Sequence, residues 1–285
     1  MLKQIIFILK SVQSVYMQTI VSDIGYLGEK FREIEVTVSY LTSEEKEDSI
    51  SSYPKENVLF LTDDAEQLDK MLDDGFYIVA LQHDQNNRVD LHRALYAMSE
   101  IRDIDFDSFL KAYQRLAGLP WFILETKRLL VRETTVDDVD DFDRIYSEPS
   151  ITEHMPALVD VETEKVYAAD YIKTIYTFYG YGMWTVILKE TGEVIGRAGI
   201  SQRDGFIIPE LGFIIAYEHQ RKGYAEEVLR AILELAKNIL EMEQIQAFIR
   251  PENGASIKLC KKLGFSETDI IYLDTIKHLV YSIEL

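Results

Sequence analysis

The sequence predicts an α/β protein in which a mixed central sheet flanked by helices is preceded by a smaller α/β part with parallel strands. Between residues 58 and 81, an apolar strand, a helix and a second apolar strand follow one another. Between residues 210 and 240, another strand passes through a glycine-containing loop into an amphipathic helix. Turn signals between residues 180 and 205 separate strands that are typical of antiparallel pairing.

Length and composition indicate two domains and restrict the partners. The 285 residues are predicted to form domains 1–120 and 121–285, because Gly118 and Pro120 interrupt the chain there. The net charge of −19 disfavours a nucleic acid partner and favours a cationic one, although the same charge could serve solubility alone. A single cysteine, Cys260, excludes an intramolecular disulfide framework and favours a reducing compartment.

The first 21 residues are predicted to form one amphipathic helix that packs on the domain or on a partner. Lysines and glutamines interrupt the apolar run, and no uncharged stretch approaches the roughly 20 residues that a membrane span needs. A small-residue cleavage site typical of a signal peptide is not evident. We therefore expect a cytoplasmic protein with no membrane partner.

The rest of the first domain follows the pattern of a β-α-β unit with parallel strands. Asp64 is a plausible N-cap for the helix that follows it. The predicted elements are a strand at 34–40, a loop at 44–52, a strand at 58–61, a helix at 65–72, a strand at 76–81, and helical or mixed segments at 91–98 and 106–116.

Two aspartates follow the apolar strand at 58–61, and open α/β sheets bind ligands at the carboxyl ends of their strands. Residues 57–90 resemble the late part of a haloacid-dehalogenase-like Rossmann domain, but the early Asp-x-Asp motif of that family is missing, so we expect no phosphatase activity. Asp63 and Asp64 either cap a helix, the interpretation we favour, or bind a metal. His83 and His92 lack companions at metal-ligand spacing, and no metal is predicted.

The second domain is predicted to alternate strands and helices around an antiparallel hairpin. Its elements are a strand within 125–133, helices at 139–146 and 163–179, hairpin strands at 183–189 and 194–201, a strand at 211–216, a helix at 225–240, a strand at 245–249, a helix at 256–263, and closing strands at 265–273 and 276–283.

The loop between the strand at 211–216 and its helix is a predicted phosphate site. A strand that turns into a helix leaves backbone N–H groups on the positive end of the helix dipole. A glycine allows the turn and the close approach of a ligand, and two cations add charge. The loop residues are Gln220, Arg221, Lys222, Gly223, Tyr224 and Ala225.

Residues 125–285 resemble the GCN5-related N-acetyltransferase (GNAT) superfamily, in the branch that acetylates ribosomal-protein N-termini. Several sequence blocks in one order carry the resemblance. They are the first strand Thr126–Arg132, the loop Gln220–Ala225 with Glu227 behind it, the segment Asn253–Ser256, and the segment Lys262–Phe265.

The resemblance implies acetyl-CoA as co-substrate, with no metal. Its pyrophosphate would lie on the amides from Arg221 to Ala225. The strand Phe213, Ile214 and Ile215 would separate from the strand at 245–249 and hold the pantetheine arm like an added strand. Asn253 and Ser256 would lie near the thioester, although a turn or capping role for Asn253 is equally open.

The resemblance also implies catalytic roles for two residues. A backbone N–H near Ile214 or Ile215 would face the thioester carbonyl. Glu210, at the start of that strand, would act as the general base for the amine, or would be a solvated strand end. Cys260 occupies the position at which many members have a tyrosine acid. It would be a weak acid or, the interpretation we favour, a small buried residue.

The acceptor side is less defined by sequence. The segments that roof the acceptor site in this fold carry residues that would form a pocket or simply belong to the core: His154, Met155, Tyr179, Tyr181 and Trp184. Arg197 and Arg203 would contact an acidic group of the substrate or balance nearby carboxylates.

Two hypotheses from different classes follow. The first is an N-acetyltransferase that transfers acetyl from acetyl-CoA to a primary amine of a small molecule or a protein N-terminus. The second is an acetyl-CoA-binding sensor or interaction module, with the first domain as output surface. A homodimer is left open by the sequence.

Overall fold

A computed structural model describes residues 1–42, 50 and 52–285, which divide into two compact units, Met1–Leu119 and Pro120–Leu285. Most of the predicted loop at 44–52 lies outside the described residues. Among those residues, no helix combines the length and apolar character needed to cross a membrane.

The described part of the first unit contains a five-stranded parallel sheet with the order β2-β1-β3-β4-β5. This is one of the common orders of doubly wound α/β folds. The likeness to a haloacid-dehalogenase-like domain stays a prediction. The elements are β1 (Gln4–Leu9), α1 (Val15–Lys30), β2 (Thr37–Thr42), β3 (Val58–Thr62), α2 (Ala65–Asp73), β4 (Ile78–Leu81), β5 (Ala97–Met98) and α3 (Phe106–Leu116).

The prediction of one helix over the first 21 residues is wrong. Residues 4–9 form β1, which lies between β2 and β3 and has its apolar side chains buried on both faces. A central strand of a parallel sheet is a continuous apolar run, and such a run also fits one face of a helix. The helix begins only after Ser14, whose side chain accepts the N–H of Met17. Residues 91–98, predicted as a helical or mixed segment, contain turns and end in the short strand β5.

The two aspartates after β3 have different structural roles. Asp64 caps α2, as predicted, by accepting the N–H of Glu66. Asp63 does not cap the helix. It is buried, accepts the Lys10 N–H at 2.7 Å and lies 3.1 Å from His83 Nε2. Asp63 therefore joins the chain that leaves β1 to the chain that follows β4.

The second unit, described throughout, is built on an eight-stranded sheet with the order β12-β13-β11-β10-β9-β8-β7-β6. All neighbouring strands are antiparallel except β10 and β11. The elements are β6 (Phe122–Glu125), β7 (Leu129–Glu133), α4 (Asp138–Tyr146), α5 (Pro149–Thr152), α6 (Val161–Tyr171), β8 (Met183–Leu188), β9 (Val194–Ser201), β10 (Glu210–Ile215), α7 (Tyr224–Asn238), β11 (Gln244–Ile249), α8 (Gly254–Leu263), β12 (Ser266–Leu273) and β13 (Ile276–Glu284).

The main core of this unit lies where α7 and α8 cover the sheet. Val228, Leu229, Ile232 and Ala236 of α7 are buried against the inner strands, as the apolar stripe of the sequence predicts. The predicted helix at 163–179 is α6, continued by a π-helical turn at Ile172–Tyr176 and one further short turn. The mixed fold predicted for this half of the chain is confirmed.

A buried ion pair joins the first helix of this unit to the sheet. The Asp138 carboxylate accepts hydrogen bonds from both terminal nitrogens of Arg132 at 2.6 and 2.7 Å, from the Thr135 N–H at 2.8 Å and from the Thr185 hydroxyl at 2.9 Å. Burial alone would raise the pKa of Asp138. The hydrogen bonds and the charge of Arg132 outweigh burial and lower it.

Replacing Asp138 by Asn is expected to destabilise the fold by about 3 kcal/mol, because it leaves Arg132 without its counter-ion. Urea unfolding at pH 7 measures this change. The matched variant Asp140→Asn breaks a solvent-exposed pair with Lys165 and should leave the free energy of unfolding nearly unchanged. The lowered pKa of Asp138 stabilises the fold above roughly pH 4, and this contribution is lost as the pH falls further. The free energies of unfolding of the wild type and of Asp138→Asn, plotted against pH, should therefore converge in acid. A difference that stays constant with pH would contradict a lowered pKa for Asp138.

Candidate active site

A cleft opens in the sheet of the second unit where β10 and β11 separate. Within residues 120–285, the two parallel strands pair at one position, Glu210 with Gln246, and then diverge. The Gln246 N–H donates to the Pro209 carbonyl at 3.0 Å and closes one end of the cleft. The cavity has a volume of about 900 Å³ and extends from Glu210 to the start of α7. The predicted separation of these strands is therefore present.

The edge of β10 directs backbone groups into this cleft. The Ala216 N–H donates to the Ile195 carbonyl on β9. Because the backbone groups of successive residues in a strand point to alternate sides, the N–H and C=O of Ile214, two residues earlier, also point toward β9. Phe213 and Ile215 therefore face the gap. Of the two N–H groups expected near the thioester, that of Ile215 lies on the open side and that of Ile214 does not. The Ile215 carbonyl already accepts the Gln220 side-chain amide at 3.1 Å.

The loop between β10 and α7 leads the cleft to a helix N-terminus. Gly223 is the N-cap of α7 and has a φ of 81°, and Arg221 has a φ of 60°. Within the described residues, no side chain caps α7, and the Glu227 N–H makes a helical bond to the Gly223 carbonyl at 3.1 Å. The amides before Glu227 are consequently left for a ligand, and an anion is favoured there.

The structure brings most of the predicted cofactor residues together around this cleft. The residues that line it are Phe213, Ile214, Ile215, Gln220, Arg221, Gly223, Tyr224, Ala225, Asn253 and Ser256. Lys222 is not among the lining residues, and its carbonyl accepts a hydrogen bond from Arg128 at 3.0 Å. Asn253 has the capping role that the sequence left open, because its Oδ1 accepts the Ser256 N–H at 3.0 Å.

Glu210 lies in the wall of the cleft with its side chain 14% exposed. Its Oε2 accepts a hydrogen bond from Arg203 Nε at 2.6 Å. Arg203 in turn lies over the ring of Phe248, 5.6 Å from its centroid. Of the two interpretations of Arg203, the structure shows the one in which it balances a carboxylate, and that carboxylate is the candidate base.

Cys260 lies on α8 within the hydrophobic core and also borders the cleft. Burial raises the pKa of its thiol to about 11. A CoA thiolate would have a conjugate acid pKa of roughly 8.5, as a free thiol does. Proton transfer from Cys260 to that thiolate would be uphill by about 3 kcal/mol, at about 1.4 kcal/mol per pKa unit.

The acceptor side of the cleft differs from the aromatic pocket considered from the sequence. His154 and Met155 line the cleft, whereas Tyr179, Tyr181 and Trp184 do not. Trp184 is fully buried in the core, and the rings of the two tyrosines contact each other at a tilt of 47° with centroids 5.5 Å apart. The core interpretation therefore holds for Trp184 and, in part, for Tyr181, which is partly buried against the core, whereas Tyr179 is 37% exposed and belongs to neither the core nor the cleft.

Two arginines differ from what the sequence predicts for the cleft. Arg197 lies over Phe142 at 4.7 Å and does not line the cleft. Arg250 was missed: it lines the cleft, and its terminal nitrogen donates to the Glu153 carbonyl at 3.1 Å. No motif marks Arg250 in the sequence, because its partner is a backbone carbonyl 97 positions away.

Comparisons with known proteins agree with this geometry. The family model described as an acetyltransferase (GNAT) domain matches residues 128–266. The uncharacterized N-acetyltransferase p20 of Bacillus licheniformis is 31% identical over 154 residues, which cover 52% of this chain and 84% of that protein. The uncharacterized N-acetyltransferase YoaA of Bacillus subtilis is 28% identical over 155 residues, covering 52% of this chain and 85% of that protein.

Solved structures show the same fold. An acetyltransferase from Agrobacterium tumefaciens covers 56% of this chain and 92% of its own, with 25% identity and a TM-score of 0.50. A GNAT-family acetyltransferase from Bacillus anthracis covers 57% of this chain and 98% of its own, with 21% identity and a TM-score of 0.50. The chain therefore belongs to the GNAT family of acetyltransferases. It is an acyltransferase, and its first unit lies outside the residues that the family model matches.

Replacing Gly223 by Ala is expected to weaken CoA binding about tenfold, measured by calorimetry. A φ of 81° costs an alanine roughly 1–2 kcal/mol, and its Cβ would lie 3.5 Å from an Arg128 nitrogen. Gly192→Ala is the matched control, because Gly192 has a φ of 74° in open space on a hairpin turn. It should lose similar stability but keep its CoA affinity. Equal affinity loss in both variants would show that the loop has no special role.

Proposed function

We propose that this protein transfers the acetyl group of acetyl-CoA directly to a primary amine of a small molecule or a protein N-terminus. The observation that carries the proposal is the continuity of the cleft. The open edge of β10 at Phe213 and Ile215 leads into the uncapped N-terminus of α7. A thioester on a pantetheine arm with a pyrophosphate at its other end has this arrangement of groups.

The cofactor would bind in two parts. The pyrophosphate would accept hydrogen bonds from the amides of Gly223 to Ala225, with the charge of Arg221 nearby. The amide groups of the pantetheine arm would pair with Phe213 and Ile215 as an added strand does. α8 supplies the opposite wall through Asn253, whose cap fixes that helix end.

The chemistry requires a neutral amine and a stabilised oxyanion. The amine nitrogen attacks the thioester carbonyl carbon and loses a proton to solvent, the C–S bond breaks, and CoA leaves as a thiolate that takes up a proton from solvent. One N–H on the open edge of β10, that of Phe213 or Ile215, would stabilise the carbonyl oxygen, and the other would pair with the pantetheine arm. Glu210 would accept the proton of the ammonium, directly or through water, after the acceptor loosens its hydrogen bond from Arg203.

An acetyl-CoA sensor is the second candidate. Two observations favour it: Glu210 is already engaged by Arg203, and the residue at the usual acid position is a buried thiol. The intact loop serves either function. The reducing compartment inferred from the cysteine content still favours a cytoplasmic location, and the oligomeric state stays open.

Calorimetry with acetyl-CoA, followed by CoA release against a panel of amines, separates the two candidates. We expect binding and turnover, and we expect Glu210→Gln to lower kcat about 100-fold with cofactor affinity kept within threefold. Glu284→Gln, at an exposed strand end, is the matched control. Binding without turnover on any amine, unchanged by Glu210→Gln, would favour the sensor, and no binding would reject both.

Cys260→Ala tests the general acid. Because the thiol pKa is about 11, we expect it to hold its proton throughout the reaction and the variant to turn over within about threefold of the wild-type rate. Solvent would then protonate the thiolate. A rate that falls roughly 100-fold or more, with unchanged melting temperature and cofactor affinity, would instead assign the acid to Cys260.

A further inference from the structure

A carboxylate in the first turn of α7, just after the candidate phosphate loop, is hydrogen-bonded to the turn between β6 and β7. Glu227 Oε1 accepts hydrogen bonds from the Thr126 hydroxyl at 2.6 Å and from the Arg128 N–H at 2.9 Å. Glu227 Oε2 accepts one from Arg128 Nε at 2.7 Å. The side chains of Glu227 and Arg128 are 19% and 39% exposed, so these bonds form in a partly buried setting.

Arg128 holds the loop from a second direction. One terminal nitrogen donates to the Lys222 carbonyl at 3.0 Å, and the guanidinium lies over the Tyr224 ring, 4.3 Å from its centroid. The residues on both sides of Gly223 are therefore in contact with one side chain. A planar guanidinium can make these contacts together, and a lysine ammonium cannot.

The hydrogen bonds from Thr126 and Arg128 keep the Glu227 carboxylate ionised. Burial alone would raise the pKa of Glu227, but the hydrogen bonds from Thr126 and Arg128 outweigh burial and lower it. A carboxylate in the first turn of a helix can otherwise compete for the free amides. Here both oxygens are bound to the β6–β7 turn, which leaves the first amides of α7 available.

The loop needs such support because its backbone is strained. Arg221 has a φ of 60°, a left-handed conformation that is unfavourable for a non-glycine residue and persists where its surroundings hold it. Thr126, Arg128 and Glu227 do not line the cleft themselves. We therefore expect them to act on a ligand in the cleft through the loop.

We propose that Thr126, Arg128 and Glu227 form a positioning clamp that holds the loop in the shape that binds the pyrophosphate of CoA. The inference rests on the proposed function for the identity of the ligand. It assigns the three residues no contact with the cofactor. Its consequence is selective: interactions with the pyrophosphate depend on the clamp, and interactions with the pantetheine arm do not.

The test compares two acetyl donors and two matched variants. S-acetylpantetheine lacks the pyrophosphate and nucleotide of acetyl-CoA. Glu227→Gln should weaken CoA binding about tenfold by calorimetry and raise KM for acetyl-CoA by a similar factor, with kcat within threefold. Its kcat/KM for S-acetylpantetheine should not change. The control, Glu234→Gln, alters an exposed carboxylate on the same helix and should behave as wild type.

Conservative rescue gives a second comparison. Thr126→Ser keeps the hydroxyl and should retain CoA affinity, whereas Thr126→Val should lose it several-fold. Arg128→Lys should resemble Glu227→Gln, and the double variant should be little worse than either single one, because one clamp is broken in each case.

Unchanged CoA affinity in Glu227→Gln would overturn the clamp, as would an equal loss with both donors. Wild-type protein that binds CoA but acetylates no amine would count against the proposed enzyme, and the calorimetric comparison would still decide the clamp. Wild-type protein that binds no CoA would overturn both.

Discussion

The one backbone pairing between Glu210 and Gln246 is the constraint on which the candidate site depends. Strands that stayed paired would satisfy each other's N–H and C=O groups and leave no edge for a ligand. Because β10 and β11 part after that position, the open edge at Phe213 and Ile215 faces a cavity in the middle of a sheet. The pairing also fixes Glu210 at the closed end of the cleft, opposite the helix N-terminus.

Both walls of the cleft are fixed by packing and by local bonds. The apolar face of α7 packs on the sheet, and its first turn is hydrogen-bonded to the β6–β7 turn through Glu227. α8 begins at the Asn253 cap and ends at Gly264, whose φ of 100° stops the helix. Because β10 is paired with β9 and the first turn of α7 is bound by Glu227, the loop between them is held at both ends before any ligand binds, which reduces the entropic cost of binding.

The carboxylates of the second unit are of two electrostatic kinds. Glu227 and Asp138 are committed to structural bonds that lower their pKa values, so they stay charged at neutral pH. Glu210 makes one hydrogen bond with Arg203, and it borders the cavity. A carboxylate with one partner at a cavity can exchange that partner for a substrate, whereas a fully bonded one cannot do so without cost.

Sequence reasoning succeeded where a local pattern was sufficient. The strand, glycine loop and amphipathic stripe between residues 210 and 240 predicted β10, the loop and α7 close to their observed bounds. It failed at β1, which was predicted as part of a helix, because a run of apolar residues does not indicate whether one face or both faces of the element will be buried. It also left Glu227 without a role, because the partners of that carboxylate lie about 100 positions earlier in the chain.

The sequence by itself determined the class of fold in the second unit and the loop that a phosphate would occupy, since turn chemistry, helix periodicity and motif spacing are local properties. Only the tertiary structure decided which backbone groups face the cleft, that Arg203 engages Glu210, and that Trp184 belongs to the core. These depend on strand register and on contacts between distant segments, where a shift of one residue turns a side chain to the opposite face.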